Sequence, residues 1–232
     1  MGNAAYTSEY EKQCNESLTL FVNENFTAKR EVYIFDYTIY INDYCGKVGE
    51  YDLHGSECRM TNDAGKEIAK WHSFDNRSDF YRPIKHSNGN LYLVFRQDLY
   101  GYSVLDISSH NILRYFPEKN MELYGETFIW TEIEYNSEND ILAVSGCFWA
   151  CPYSVHLFTF KDPMDDNQRF IDLYECIKSA SVLYQDIDFI KWDGRDLHIS
   201  CLNVISDKEY YEEKIIKENE YLEWFAKKGS VF

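Results

Sequence analysis

Two stretches of the chain repeat one another at an interval of about 50 residues, and this self-similarity limits the possible folds more than any other feature. The first stretch reads Ser-Asn-Gly-Asn-Leu-Tyr-Leu-Val-Phe at 87–95, and the second reads Ser-Glu-Asn-Asp-Ile-Leu-Ala-Val at 137–144. A Tyr-Ser-Val triplet follows each stretch, beginning at Tyr102 and at Tyr153. A repeat of this period predicts consecutive copies of one supersecondary unit.

Two further stretches extend the pattern along the chain. Residues 192–201 again pass from a polar turn into an alternating strand, and residues 28–40 hold the strand Val-Tyr-Ile-Phe in the corresponding place. We therefore predict one domain over 1–232 that is built from four repeat-like units. The predicted units span about 28–80, 81–127, 128–180 and 181–216. A strand at 17–22 is expected to complete the array.

Each unit reads as strand, turn, strand, hairpin and strand, which is the up-and-down meander of a propeller blade. In this respect the chain resembles the WD-repeat-like β-propellers. The resemblance implies an all-β fold, a small propeller-like array of about four antiparallel meander units. A two-sheet β-sandwich is the alternative, because it would also cover both faces of the apolar runs at 91–95 and 141–144.

The two ends of the chain carry helical patterns. Residues 217–228 place apolar side chains at partly helical spacing before Gly229, which predicts a short C-terminal helix. Near the start, Ser8 followed by Glu11 has the spacing of a capping box and predicts a brief helix.

Charge narrows the choice of partners. The chain has 39 acidic and 23 basic residues and a formal charge of −16, with no cluster of Lys and Arg in the sequence. Such a chain would be repelled by a phosphate backbone and by an anionic lipid surface. We therefore expect no nucleic-acid partner and no membrane partner, and a protein or a small molecule as the ligand.

Cysteine and histidine usage bears on compartment and metal. Seven cysteines are scattered without a CxxC pair, and the six histidines have no ligand spacing. An odd number of unpaired cysteines is typical of free thiols in a reducing compartment. No secretory signal or apolar membrane segment is visible, so a cytoplasmic location is expected. Nothing in these patterns predicts a metal site or a cofactor.

Two matching acidic strands are the first candidate site. Glu132 and Glu134 alternate with apolar residues in one unit, and Asp186 and Asp188 do so 54 residues later in the next unit. Alternation places each pair of carboxylates on one face of its strand. If the strands are neighbours, the four carboxylates form an acidic channel mouth that binds a cationic group. Plain solvation of an exposed strand face is the alternative.

The connection that precedes Tyr153 is the second candidate site. Its aromatic residues, Phe148, Trp149 and Tyr153, are unusually dense for a loop. Exposed Trp and Tyr side chains are common anchors for a partner protein, because they bury a large area at small entropic cost. The alternative is that Phe148 and Trp149 pack between units as core.

These features favour a non-catalytic recognition or scaffold protein that binds a protein or small ligand through its loops or an acidic channel. No nucleophile elbow, phosphate loop or zinc-protease motif is present, and no catalytic residue is assigned. The alternative is a carbohydrate-active enzyme of the glycoside hydrolase type, since paired carboxylates can divide the roles of acid and base. The sequence leaves open whether the chain is an enzyme.

Overall fold

The computed structural model describes residues 2–74, 79–123, 125–149, 152–178, 184–205, 208–228 and 230–231. These residues form an all-β fold of four antiparallel sheets with a short C-terminal helix, as the sequence predicts. The strands of the described residues divide among four sheets and not among the two of the sandwich alternative.

The first two sheets are four-stranded meanders whose strands follow chain order. The strands of the first sheet are β1 (Phe26–Ile34), β2 (Tyr37–Val48), β3 (Tyr51–Asn62) and β4 (Glu67–Ser73). Those of the second sheet are β5 (Tyr81–Lys85), β6 (Leu91–Phe95), β7 (Tyr102–Asp106) and β8 (Asn111–Tyr115).

The third and fourth sheets hold the rest of the strands in the described residues. The third sheet contains β9 (Ile129–Asn136), β10 (Ile141–Cys147), β11 (Tyr153–Thr159) and β12 (Arg169–Asp172). The fourth contains β13 (Tyr184–Asp193), β14 (Asp196–Ile205) and β15 (Lys208–Ile216). A final strand, β16 (Ser230–Val231), pairs antiparallel with β12 and adds a fifth strand to the third sheet.

Three α-helices accompany the sheets in the described part of the chain. They are α1 (Ser8–Ser17), α2 (Leu173–Ile177) and α3 (Glu218–Lys228). None of the described helices is long and apolar enough to cross a membrane. The chain divides into two compact units, which we call the N-terminal unit (3–84 and 90–123) and the C-terminal unit (1–2, 85–89 and 124–232).

The N-terminal unit contains the first and second sheets around one apolar core. Ile41, Met60 and Trp71 of the first sheet pack with Leu93 and Phe95 of the second. The run at 91–95 is covered on both faces, as its continuous apolar character predicts. Burial of these side chains is the main source of stability in this unit.

The start of the chain corrects one expectation. The helix predicted near Ser8 forms, and the hydroxyl of Thr7 caps it by accepting the N–H of Tyr10. The strand predicted at 17–22 does not form, because α1 extends to Ser17 and a 3₁₀ turn follows at Leu18–Leu20. The hydroxyl of Thr19 donates to the carbonyl of Glu16, which satisfies the end of the helix locally.

The C-terminal unit contains the third and fourth sheets around a second core. Ile141 and Leu157 of the third sheet pack with Ile187 and Ile199 of the fourth. From α3, Tyr221 is fully buried in this core, and its hydroxyl donates to the carbonyl of Arg195 over 2.7 Å. The predicted terminal helix therefore docks its apolar face on the sheets, which a helix of this length needs for stability.

Candidate functional site

Strands β9 and β13 present the predicted carboxylates by simple alternation. In β9, Glu132 and Glu134 are exposed on either side of buried Ile133. In β13, Asp186 and Asp188 flank Ile187, which is fully buried in the core of the C-terminal unit. Because successive side chains point to opposite faces, burial of each isoleucine fixes the direction of its two acidic neighbours.

Three of the four predicted carboxylates line one cleft in the C-terminal unit. Glu132, Glu134 and Asp188 border a cavity of about 360 Å³, together with Tyr153. Small side chains from β10, Ala143 and Ser145, also line it opposite the glutamates in the strand register. Their size leaves room for a ligand group between β9 and β13. We call this cavity the acidic cleft.

Asp186 does not line the acidic cleft but supports its wall. Its Oδ1 accepts a hydrogen bond from the backbone N–H of Tyr153 over 2.7 Å. This bond links the start of β11 to β13, where β11 and β13 pass close to each other. Asp186 thus lies beside the acidic cleft, where its carboxylate positions the start of β11.

The charged side chains in the described lining of the acidic cleft are all negative. No Lys, Arg or His is among the described residues that line it. Displacement of water from around the carboxyl group and, secondarily, the negative charge of Asp186 raise the pKa of Asp188. Such a cleft attracts a cation, because a positive group would relieve the repulsion among its carboxylates.

The aromatic connection splits into exposed and partly packed residues. Trp149 is 60% exposed and Tyr153 is 46% exposed, so neither belongs to the core. Phe148 is half-buried, with its ring 5.6 Å from that of Phe128. The core alternative therefore applies in part to Phe148 and is wrong for Trp149. Since Tyr153 also lines the acidic cleft, the two predicted sites adjoin at this residue.

A cluster around His156 was not predicted from the sequence. The buried imidazole stacks on Phe128 with ring centroids 3.6 Å apart, and its Nε2 lies 3.7 Å from Oδ1 of Asp172. Ser154 donates its hydroxyl to the same carboxylate over 2.9 Å. The serine therefore faces the aspartate and not the histidine, so the trio lacks the nucleophile–base contact of a hydrolase.

The signal for this cluster was the spacing of Ser154 and His156 on β11, which puts both side chains on one face. Asp172 on β12 could not be assigned to them without the strand register, in which it stands opposite His156. Burial opposes ionisation of Asp172, but contacts with His156, Ser154 and the Tyr174 N–H outweigh it and lower the pKa.

Metal binding has no geometric basis in the described residues. Among them, no group of three or more His, Cys, Asp or Glu side chains could hold a metal ion. The six cysteines that the structure describes are free thiols, and Cys151 lies outside the described residues.

No protein-family model matches the chain, and comparisons with curated proteins and with solved structures find no match either. Fold and site together define the class, an all-β protein with an acidic cleft bordered by exposed aromatic residues.

Proposed function

We propose that the protein is a non-catalytic recognition protein that binds a cationic group of a protein or small ligand in the acidic cleft. The observation that carries the proposal is the meeting of Glu132, Glu134 and Asp188 at one cavity without a basic residue among its described lining. The exposed rings of Tyr153 and Trp149 add aromatic surface beside these charges. Carboxylates and aromatic faces together are the usual recognition elements for ammonium and guanidinium groups.

The ligand that fits best is a Lys or Arg side chain of a basic peptide. Its charged head would lie among the carboxylates, and its aliphatic stem would contact the aromatic side chains. A cavity of about 360 Å³ lies at the lower end of the usual range for ligand sites, which suits one long side chain. The predicted protein or small-molecule partner is thus narrowed to a basic one.

Binding of a lysine-rich peptide, measured by isothermal titration calorimetry, tests this proposal. Neutralising the cleft with Glu134→Gln and Asp188→Asn should weaken binding by about tenfold or more, since two charge contacts are lost. A matched control, Glu126→Gln with Glu209→Gln, removes the same charge at exposed positions outside the cleft in the same unit. Equal weakening in both variants would show a diffuse charge effect and refute the cleft as the site.

A carbohydrate-active enzyme is the second candidate, and the raised pKa of Asp188 favours it. A glycoside hydrolase needs one carboxyl group that keeps its proton and a second one that is ionised. In such an enzyme Asp188 would be the acid and Glu132 or Glu134 its partner. Release of a chromophore from aryl glycosides, abolished by Asp188→Asn, would support this function; no release from a panel of such glycosides would reject it.

We also propose that the four sheets are the blades of a small β-propeller-like array. The proposal is supported by their meander order, which is the same in every sheet when β16 is set aside. A closed array of this length would have a radius of gyration of about 17 Å, the value for a compact chain. Small-angle X-ray scattering measures this radius, and a clearly larger value would contradict closure.

A further inference from the structure

A second cavity in the N-terminal unit has the opposite chemistry. It occupies about 530 Å³ on the first sheet and crosses all four strands of that sheet. Five basic residues line it, and they come from four different strands. They are Lys29, Arg30, Arg59, Lys70 and Arg114. We call this cavity the basic groove.

Strand register explains how scattered residues meet in the basic groove. Lys29 stands beside Asn42, Glu57 and His72 across the sheet, and two positions further along β1, Glu31 stands beside Tyr40, Arg59 and Lys70. Side chains two residues apart on a strand share a face, so both rows line the same side. Arg114 reaches the groove from β8 of the second sheet.

Two of the five basic residues have a carboxylate partner. Arg30 donates through Nε to the carboxylate of Asp43 over 2.6 Å and also contacts the carboxylate of Asp79. Its charge is therefore used in structural ion pairs. Lys70 lies 3.3 Å from Glu67, and this pair is exposed at the surface. Exposed pairs of this kind are weak and leave the ammonium group available to a ligand.

The remaining three cations lack such a partner. Within the part of the chain that the structure describes, Lys29, Arg59 and Arg114 have no carboxylate within 4.0 Å. The guanidinium of Arg59 lies over the ring of Tyr40, 5.2 Å from its centroid. This stacking holds the guanidinium plane while its N–H donors stay free for an acceptor.

The two carboxylates of the groove are occupied by tyrosine hydroxyls. Glu57 accepts from the hydroxyl of Tyr44 over 2.6 Å and lies 3.6 Å from Nε2 of His72. Glu31 accepts from the hydroxyl of Tyr33 over 2.7 Å. A hydrogen bond leaves each carboxylate charged, but the described lining holds five Lys and Arg side chains against these two acids, so positive groups are in the majority.

We propose that the basic groove binds a small organic polyanion that carries phosphate or carboxylate groups. Arg and Lys side chains are the protein groups that bind such oxyanions most strongly, and Arg does so through two parallel donors. The cavity volume of about 530 Å³ is that of a small-molecule site. In a chain with a formal charge of −16, only a local concentration of cations such as this one can attract an anion.

Calorimetric titration with two probes, inorganic pyrophosphate and citrate, tests the proposal on the full chain. At about 50 mM salt at least one probe should bind, and at about 300 mM salt its affinity should fall, because the groove is open to screening ions. The double variant Lys29→Gln with Arg59→Gln should weaken binding by about tenfold or more. Both residues are exposed, so the variant should keep its fold, which a thermal melt verifies.

The matched control is Lys12→Gln with Lys66→Gln, which removes two positive charges at exposed positions of the same unit outside the groove. Weakening in the groove variant but not in the control supports the proposal, and the probe that responds identifies phosphate or carboxylate as the preferred group. Absence of binding by both probes at low salt, or the same loss of affinity in both variants, overturns it. Because the probes are anions, neither outcome bears on the acidic cleft.

Discussion

The carboxylate of Asp186 accepts a hydrogen bond from the backbone N–H of Tyr153 over 2.7 Å, and its negative charge acts on Asp188, two residues further along β13. The contact couples the exposed aromatic end of β11 to the acidic strand. It also fixes a negative charge beside a second one, which contributes to the raised pKa of Asp188. The local charge balance of the acidic cleft therefore depends on backbone geometry as well as on which acidic residues are present.

Asp188→Asn should stabilise the protein at neutral pH. An acid whose pKa is raised by folding contributes stability below its unfolded pKa of about 4 and loses that contribution as the pH rises through the folded value. At pH 7 the ionised carboxylate is therefore unfavourable, and asparagine removes it. Thermal melts should show a higher melting temperature at neutral pH and a difference that shrinks towards pH 4. A lower melting temperature at neutral pH would mean that the carboxylate makes stabilising hydrogen bonds.

Asp172→Asn should have the opposite effect and is the natural comparison for the previous variant. The lowered pKa of Asp172 means that its contribution is present above the unfolded pKa and is lost as the pH falls through the folded value. Its side chain is only 22% exposed, so loss of the charged contacts should destabilise by about 1 to 3 kcal/mol at neutral pH. Urea titrations at neutral and acidic pH measure this, and a constant difference across the range would contradict the linkage.

Trp149→Ala should leave the fold almost unchanged and weaken binding of the basic peptide. An exposed side chain contributes little to stability, so the change in unfolding free energy should stay within about 0.5 kcal/mol. Trp130→Ala is the buried control, and it should cost about 3 to 5 kcal/mol by opening a cavity. If the two variants lower the denaturant midpoint of unfolding equally, Trp149 is a core residue and this loop does not anchor a partner.

Gly146→Ala should destabilise the C-terminal unit. A Cβ at this position would overlap the carbonyl oxygen of Ile129 and would lie 2.8 Å from the ring of Phe128, where the register of β9 and β10 shifts. Relief of this overlap would move backbone, at a cost of about 1 to 3 kcal/mol or more. In Gly65→Ala the added Cβ would meet nothing within 4 Å, and only the positive φ opposes the change, at about 1 to 2 kcal/mol. This variant therefore measures backbone strain without overlap, for comparison with the melting temperature of Gly146→Ala.

The sheets were predictable because strand alternation and turn signals are local properties of the sequence. Strands β9 to β12 of the third sheet, for example, span 129–172, where a unit over 128–180 was predicted, and β16 joins this sheet from 230–231. The strand expected at 17–22 failed for an equally local reason, since helix α1 and its hydroxyl contacts run through that position. Whether the chain acts as a single domain stays a prediction.

The acidic cleft was predictable in part, because matching positions in successive units carry the acids. The different roles of Asp186 and Asp188 could not be predicted from the sequence, because they depend on the hydrogen bond that Asp186 accepts from the backbone N–H of Tyr153. The basic groove could not be predicted from the sequence, because its basic residues lie up to 85 residues apart, from Lys29 to Arg114. Only the register of the first sheet brings most of them onto one face.

Among the cysteines that the structure describes, each compact unit has one that is deeply buried, Cys58 in the N-terminal unit and Cys201 in the C-terminal unit. Burial raises the pKa of Cys58 to about 12 and that of Cys201 to about 11, so in mildly alkaline buffer both remain protonated as well as covered. Thiol reagents attack the thiolate, and they will modify these two sulfurs only when the surrounding unit opens. Mass spectrometry of the two labelled peptides would then measure the rate of modification of each thiol, and each rate reports how often the surrounding unit opens.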